Sequence, residues 1–155
     1  MELTKTQLNV IHKIINWMDD KDSDNFFCIS GPAGTGKTTI INYICENLIN
    51  RYRISVTATT NAAVNILDNK IKSNYIKCST IHNYLKLRIK TTQKGKTLSK
   101  KNKGAVCHDL VIIDECSMID SNLWNLIVDY PYKKTKWLFV GDACQLSPVG
   151  DSISP

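Results

Sequence analysis

Residues 31–38 read GPAGTGKT and match the phosphate-loop pattern G-x-x-x-x-G-K-[ST] at every fixed position. An apolar run at 26–30 precedes the loop and apolar residues recur at helical spacing after it, which is the strand, loop and helix that the motif requires. Glycines let the backbone fold tightly around anionic oxygens, and the amides of 33–37 can donate to phosphates near a helix N-terminus. Lys37 is expected to reach the β- and γ-phosphates, and the Thr38 hydroxyl to bind Mg²⁺. We therefore predict a nucleoside triphosphate site whose contacts are Gly31, Ala33, Gly34, Thr35, Gly36, Lys37, Thr38 and Thr39.

A second set of residues suited to the same chemistry is the apolar run at 111–113 followed by Asp114 and Glu115. A strand that ends in carboxylates places them at the carboxyl edge of a parallel sheet, where a metal ion can be held. Asp114 is expected to hold Mg²⁺, directly or through water, and Glu115 to polarise an attacking water, because phosphoryl transfer needs a cation and a positioned nucleophile. The alternative is that the two acids only cap the following helix, and the phosphate loop upstream makes it the poorer interpretation.

A third apolar run, at 137–140, leads into the polar segment GDACQLSPV at 141–149. The side-chain amide of Gln145 could sense the γ-phosphate from this loop. The candidate catalytic residues are therefore Lys37, Asp114, Glu115 and Gln145.

The elements that must position these residues alternate between strand and helix patterns. Thr4 and Gln7 form a T-x-x-Q capping box, which opens a helix that ends in the acidic turn at 19–24. Strands are predicted at 26–30, 54–59, 110–114 and 137–140, and helices after the phosphate loop, at 62–71 and at 123–128, with a shorter candidate at 80–87. This alternation predicts an α/β fold, a parallel sheet with helices on both faces.

Length and composition indicate one soluble, intracellular domain. The 155 residues are 43% hydrophobic, without a charged-then-apolar leader or a run of 18 apolar residues, so no secretion signal or membrane span is expected. The six cysteines contain no C-x-x-C pair, and Cys28, Cys116 and Cys144 lie in or beside apolar runs. Buried free thiols are therefore expected rather than zinc ligands or disulfides.

The net charge of +6 is concentrated in one segment. Residues 86–108 hold eight of the 20 Lys and Arg and no acid, which leaves twelve basic against fourteen acidic residues elsewhere. Such a cluster suits phosphate contacts along nucleic acid, and a solvated, poorly ordered loop is an equally good interpretation of the charge alone. Alternation at 87–91, a turn-like stretch at 93–96 and a possible return at 97–99 predict an inserted basic hairpin.

The order of these motifs resembles the first RecA-like domain of superfamily-one DNA helicases, in the RecD-like 5′→3′ branch. The resemblance runs from Gln7 through GPAGTGKTT, TATTNAAVNIL at 57–67, STIH at 79–82 and VIIDECSM at 111–118 to GDACQLSPV. It implies a RecA-like P-loop NTPase domain that binds ATP, Mg²⁺ and single-stranded DNA. The 5′→3′ polarity is implied by the last motif alone.

The resemblance also implies roles for single residues. It makes Gln7 the reader of adenine, although the capping box explains this residue equally well. It places Thr60, Asn61, Thr80 and His82 on the single-strand backbone, although each could simply cap its helix. It makes segment 86–108 a strand-separating pin, and the DNA contacts of this segment would be Arg88, Lys90, Lys94 and Lys96. Two departures from the pattern are a hairpin without an aromatic residue, and Thr59 where proline is usual.

The resemblance finally implies that a second RecA-like domain, in cis or in trans, completes the ATP site. Residues 1–155 would be an N-terminal motor domain, present as a truncated or split form that binds ATP yet turns it over slowly and does not unwind DNA alone. Two alternatives stay open. One is a non-catalytic module that binds nucleotide and DNA, and the other is a small-molecule kinase or GTPase. Residues 69–72 disfavour the GTPase because they do not read N-K-x-D, which reads guanine, and a kinase gives no reason for GDACQLSPV at 141–149.

Overall fold

The computed structural model describes residues 3–71, 73, 75–92, 95–100 and 106–142, and of strand residues 88–92 and 95–100 it describes the backbone. The elements follow one another as α1 (Lys5–Asp19), β1 (Phe26–Ser30), α2 (Lys37–Leu48), β2 (Ile54–Ala58), α3 (Asn61–Lys70), β3 (Cys78–Thr80), α4 (Ile81–Tyr84), β4 (Leu87–Thr92), β5 (Gly95–Lys100), β6 (Leu110–Asp114), a 3₁₀ turn (Cys116–Met118), α5 (Ser121–Val128) and β7 (Lys136–Gly141). None of the described helices combines the length and the apolar character that crossing a membrane demands.

Five of the strands form one parallel sheet in the order β1-β7-β6-β2-β3. Every residue of β2 and β7 is buried, as expected for strands that helices cover on both faces. The predicted α/β fold is confirmed. The predicted strands at 26–30 and 110–114 match, β2 ends one residue earlier than predicted, and β7 is one residue longer at each end. Strand β3 was not predicted, because its three residues include two polar ones and carry no apolar run.

The helices cover the sheet from two sides and form two apolar clusters. The first cluster joins α1, α2 and α3 to the sheet through residues such as Ile14, Ile41 and Leu67. The second joins α4 and α5 to the other face through Ile81 and Ile127. Burying an isoleucine or leucine side chain stabilises a fold by roughly 1.5–3 kcal/mol. The two clusters therefore fix the helices on the sheet, and with them the loops that join strand ends to helix starts.

Side-chain caps set the helix boundaries that differ from the expectation. Thr60 caps α3, which therefore begins at Asn61, and Asp120 caps α5, which begins at Ser121. Thr80 ends β3 and caps the four-residue α4, so the candidate helix at 80–87 is shorter than expected.

The inserted hairpin is confirmed as a two-stranded antiparallel sheet of β4 and β5, in which Leu87 pairs with Lys100 and Thr92 with Gly95. Hydrogen bonds join the segment that precedes the hairpin to the segment that follows it. The Tyr84 and Tyr130 hydroxyls donate to the Val106 carbonyl oxygen at 3.3 and 2.7 Å, and the Tyr84 hydroxyl lies 3.2 Å from Nδ1 of His108. The segments that enter and leave the hairpin are thereby held beside the second apolar cluster.

Among the five cysteines that the structure describes, none forms a disulfide, while Cys144 lies outside the described residues. The expectation that Cys28 is buried is wrong. Its strand, β1, ends the order of the described sheet, so side chains on one face of the strand stay exposed. Cys116 is half-buried, and the fully buried thiols are Cys45 and Cys78.

Candidate functional site

The phosphate loop connects the end of β1 to the start of α2 and is held by its own hydrogen bonds. The Thr35 hydroxyl donates to the Pro32 carbonyl oxygen at 2.8 Å, and the Gly31 amide donates to the Gly141 carbonyl oxygen of β7 at 3.1 Å. Gly34 and Gly36 have φ angles of 80° and 84°, in the left-handed region that only glycine adopts at little cost. The loop therefore has the backbone shape that the motif predicts, with Ala33 exposed at its turn.

Lys37 directs its ammonium group into this loop. Its Nζ donates to the carbonyl oxygens of Gly31 at 2.5 Å and Pro32 at 2.9 Å. Thr38 and Thr39 lie beside it in the first turn of α2 and are half-buried. The loop thus holds a cation inward, next to the helix N-terminus whose dipole also favours an anion.

A cavity of about 260 Å³ lies between α1, the loop and α2. Its lining includes Gln7, Val10 and Ile40 together with loop residues. Gln7 is bonded at both ends of its amide: Nε2 donates to the Thr35 carbonyl oxygen at 3.1 Å, and Oε1 accepts from the Thr4 amide at 2.9 Å. Each of these groups keeps a further donor or acceptor position, so the capping box and recognition of a base are compatible.

Asp114 ends β6 at the same edge of the sheet, because β7 separates β6 from β1 and all three strands are parallel. Its Oδ1 accepts from the Glu115 amide at 3.0 Å. Burial raises the pKa of Asp114 above its usual range, and the neighbouring Glu115 charge adds to this, while Lys37 acts in the opposite direction. The parallel pairing of β1, β7 and β6 thus places the phosphate loop and Asp114 at the same carboxyl edge.

Glu115 adopts a left-handed backbone with φ 57° and ψ 41°, which is uncommon for a residue other than glycine. Two threonines that follow β2 contact it. The Thr60 hydroxyl donates to Oε2 of Glu115 at 3.1 Å, and the Thr59 hydroxyl donates to the Glu115 carbonyl oxygen at 3.4 Å. These contacts follow from the register of the sheet, in which Ala58 pairs with Asp114.

The other candidate residues at this edge lie at helix starts. Thr80 caps α4 by accepting from the Asn83 amide at 3.1 Å, and Ala58 pairs with Thr80 in the register of β2 and β3. Asn61 begins α3 and is exposed, while His82 lies in α4 and is half-buried. Thr60, Asn61, Thr80 and His82 thus share the carboxyl side of neighbouring strands.

Some predicted residues lie beyond what the structure describes. Gln145 and Lys94 are outside the described residues. Arg88 and Lys90 lie in β4 and Lys96 in β5, where the backbone places them on the hairpin.

A family model described as the AAA domain matches residues 14–151. The chain belongs to the AAA domain family. Two curated relatives resemble this AAA domain over most of its length. The RecBCD enzyme subunit RecD of Buchnera aphidicola subsp. Schizaphis graminum is 33% identical over 83% of this chain and 24% of its own length. The ATP-dependent DNA helicase Dda of phage T4 is 32% identical over 96% of this chain and 33% of its own length.

The solved structures agree with these relatives. The Pif1 helicase from Bacteroides, solved with ADP-AlF3 and single-stranded DNA, superposes with a TM-score of 0.68 at 25% identity, over 97% of this chain and 34% of that chain. The AAA domain therefore spans about a quarter to a third of the length of these relatives. The resemblance to helicases that the motif order indicated is confirmed.

Two features of the site were missed in the sequence. The apolar wall of the cavity, formed by Val10 and Ile40, looks like ordinary helix core in the sequence. The contact of Thr60 with Glu115 is the other, because the sequence indicates only a cap or a DNA contact for Thr60. A signal for it exists: the two residues each follow a predicted strand, and adjacent parallel strands bring such residues together.

Proposed function

We propose that residues 1–155 are the N-terminal RecA-like motor domain of an ATP-dependent 5′→3′ DNA helicase that binds ATP, Mg²⁺ and single-stranded DNA. The observation that carries the proposal is the convergence of Lys37, Asp114 and Glu115 at one edge of the sheet, with Thr60 bonded to Glu115 at 3.1 Å. This edge holds both the groups that phosphoryl transfer needs and helix starts suited to a nucleic acid backbone. The helicase relatives support the same assignment.

The nucleotide is proposed to bind along the phosphate loop and the adjacent cavity. Lys37 would exchange the carbonyl oxygens of Gly31 and Pro32 for phosphate oxygens, which accept a charge-assisted hydrogen bond more strongly. Gln7 would read adenine with the N–H and the lone pair that its present contacts leave over. Val10 and Ile40 would supply apolar contact to the base.

The donor set at this edge fits Mg²⁺. The Thr38 hydroxyl and the Asp114 carboxylate are hard oxygen ligands of the kind that Mg²⁺ takes with phosphates. Partial burial of Asp114 also suits a carboxylate that gains a cation, because a positive charge offsets the cost of its burial. When bound, the ion neutralises charge on the phosphates, and Glu115 orients the attacking water beside it. Gln145 is proposed to sense the γ-phosphate.

Single-stranded DNA is proposed to lie across the carboxyl side of β2 and β3, where Thr60, Asn61, Thr80 and His82 are placed. The basic hairpin would hold further phosphates through Arg88, Lys90, Lys94 and Lys96. Replacing the lysines of residues 94–103 by glutamine should flatten the salt dependence of binding by about 0.7 per lost phosphate contact. Residues 94–103 contain five lysines, and glutamine at five exposed lysines outside the hairpin, Lys13, Lys21, Lys77, Lys133 and Lys134, is the matched control. An equal change of slope in both variants would remove the hairpin from the DNA site.

A second RecA-like domain is proposed to complete the ATP site, in cis or in trans. The chain covers 24% and 33% of the two curated relatives, which leaves room in them for such a domain. An arginine supplied from outside a phosphate site is worth about 10³ to 10⁵ in rate. This chain alone should therefore bind ATP and hydrolyse it slowly.

The proposal is tested by ATP turnover of the purified chain with and without single-stranded DNA, with Glu115→Gln as the control that keeps the shape of the side chain. Slow turnover that Glu115→Gln abolishes supports the catalytic role of this carboxylate. Tight ATP binding with turnover equal in wild type and variant contradicts it and favours a non-catalytic module that binds nucleotide and DNA.

A further inference from the structure

Two cysteines contact each other although a strand separates the elements that carry them. Cys28 belongs to β1, Cys116 follows Glu115 at the end of β6, and β7 lies between these two strands. A hydrogen bond nevertheless joins the two thiols. Cys28 is exposed and Cys116 is half-buried, so solutes reach the pair from the side of β1.

The absence of a side chain at Gly141 makes room for this contact. Gly141 ends β7, and a Cβ there would lie only 2.6 Å from Sγ of Cys116. In the register of β1 and β7, Cys28 pairs with Phe139, two residues before Gly141. Because side chains alternate between the faces of a sheet, Cys28 and the open position at Gly141 lie on the same face. The Cys116 sulfur thus reaches over β7 to the thiol of β1.

The other described cysteines lie in different surroundings. Cys45 and Cys78 are fully buried, and burial raises the pKa of each to about 12, so they hold little thiolate at neutral pH. The sulfur of Cys107 accepts a hydrogen bond from a guanidinium at 3.5 Å. By contrast, the hydrogen bond from Cys116 lowers the pKa of Cys28 to about 7. An exposed thiol that ionises readily and lies beside a second thiol is the arrangement that peroxides oxidise selectively.

We propose that Cys28 and Cys116 are a redox-active pair, which hydrogen peroxide converts into an intramolecular disulfide that slows ATP hydrolysis reversibly. The effect on hydrolysis rests on the proposed function, because it takes Glu115 as the residue that orients the attacking water. The disulfide itself does not depend on that assignment.

The oxidation proceeds in two steps. The Cys28 thiolate attacks one oxygen of the peroxide, the O–O bond breaks, and hydroxide departs, which leaves Cys28 as a sulfenic acid. Sγ of Cys116 then attacks Sγ of Cys28, the S–O bond breaks, and the hydroxide leaves with the Cys116 proton as water. In total the two thiols lose two electrons and two protons to one peroxide, which becomes two molecules of water.

The disulfide acts on the ATP site through the residue beside it. Bonded sulfurs lie about 2.05 Å apart, closer than hydrogen-bonded thiols, so the bond pulls Cys116 towards β1. Glu115 directly precedes Cys116, and its left-handed φ of 57° shows that the surrounding contacts determine its backbone. Misplacing a catalytic group by about 1 Å lowers a rate by up to about 10²-fold. Oxidation should therefore disturb the position of the Glu115 carboxylate.

Disulfide mapping tests the pair without any ATP. The full chain is treated with hydrogen peroxide, its remaining thiols are blocked with iodoacetamide, and trypsin and Glu-C digest it without reductant. Cys107 and Cys116 share the tryptic peptide 104–133, and cleavage after Glu115 separates them. We expect a linked pair of peptides that contains Cys28 and Cys116, lighter by two hydrogens than the free peptides together, which dithiothreitol splits.

ATP hydrolysis is then measured for the reduced, oxidised and re-reduced chain. Oxidised wild type should hydrolyse ATP about 10- to 100-fold more slowly and recover with dithiothreitol. Cys28→Ser and Cys116→Ala each lack one partner and should keep their reduced rate after the same treatment. The control Cys107→Ser should respond as wild type does, and thermal unfolding checks that each variant folds.

The possible outcomes separate the pair from its effect. A treated chain in which Cys28 carries only a sulfenic acid, or is linked to Cys144, would overturn the pair. A disulfide between Cys28 and Cys116 that leaves hydrolysis unchanged would overturn the regulation and leave the helicase proposal standing. Absence of hydrolysis in the reduced wild type would overturn the proposed function, and the regulation with it, whatever the peptides show.

Discussion

Gly36 lies at the start of α2, where the phosphate loop approaches Gln7 of α1. Replacing Gly36 by alanine tests both its left-handed backbone and this approach to Gln7. Gly34 and Gly36 have nearly the same left-handed φ, 80° and 84°. A Cβ on Gly34 would meet no heavy atom within 4 Å, whereas a Cβ on Gly36 would lie well inside contact distance of Nε2 of Gln7. Gly34→Ala is therefore a control that carries the backbone strain without the clash.

The expected magnitudes follow from these two terms. Left-handed backbone costs a non-glycine residue about 1–2 kcal/mol, and both variants carry this cost. Gly36→Ala also displaces the Gln7 amide and breaks its 3.1 Å hydrogen bond to the Thr35 carbonyl oxygen, an extra loss of about 1 kcal/mol. For a chain of this size that extra loss lowers the melting temperature by a further ~2–4 °C.

The assay is urea unfolding followed by circular dichroism, for wild type, the two glycine variants, Gln7→Ala and each double variant. Gln7→Ala should lower the free energy of unfolding by about 1 kcal/mol less in the Gly36→Ala background than in wild type, because the contact is already lost there. In the Gly34→Ala background it should keep its full cost. Equal destabilisation by Gly34→Ala and Gly36→Ala would refute the argument that Gln7 occupies this space.

Three further predictions concern groups outside the loop. A hydrogen bond from Cys116 lowers the pKa of Cys28 to about 7. Its alkylation by iodoacetamide should therefore accelerate as the pH rises through about 7, and an unchanged profile in Cys116→Ala would contradict this cause. Burial lowers the pKa of His108 below its ordinary 6.5. As the pH drops below 6.5, the unfolded chain therefore binds a proton at His108 that the folded chain does not, and the free energy of unfolding should fall. A pH dependence of unfolding that His108→Gln leaves unaltered would refute that assignment. Lys136→Met should lower the free energy of unfolding by about 2 kcal/mol, because the buried Nζ of Lys136 donates to carbonyl oxygens at the end of α1. The control Lys133→Met, at an exposed lysine, should lower it by less than about 0.5 kcal/mol. Equal losses in the two variants would contradict the role of the Lys136 hydrogen bonds.

The sequence predicts those parts of the fold that depend on local pattern. The phosphate loop, the strand that ends in Asp114 and the helix caps are local, and each lies where its motif indicates. Strand β3 was missed, because its three residues owe their conformation to pairing with β2 and not to an apolar pattern. The exposure of Cys28 depends on the position of β1 in the sheet order, which periodicity does not give.

Contacts between distant side chains were the other part that the sequence left open. Lys136 lies at the start of β7, and its Nζ donates to the Asp20 carbonyl oxygen and to Oγ of Ser23, each at 2.6 Å. Only the packing of α1 on the sheet brings these groups together. The bond between Thr60 and Glu115 depends on the register of β2 and β6. Motif spacing identifies Thr60 and Glu115, and the strand register then shows that they meet.

The measurement that tests the central claim most directly is the equilibrium affinity of the chain for ATP with Mg²⁺, compared between wild type, Lys37→Ala and Lys13→Ala. Lys13 is exposed on α1, so its variant removes the same charge without touching the loop. Loss of a charge-assisted hydrogen bond to phosphate should weaken binding about 10- to 100-fold in Lys37→Ala and leave Lys13→Ala within about twofold of wild type. Equal affinity of wild type and Lys37→Ala would contradict the assignment of this loop as the ATP site.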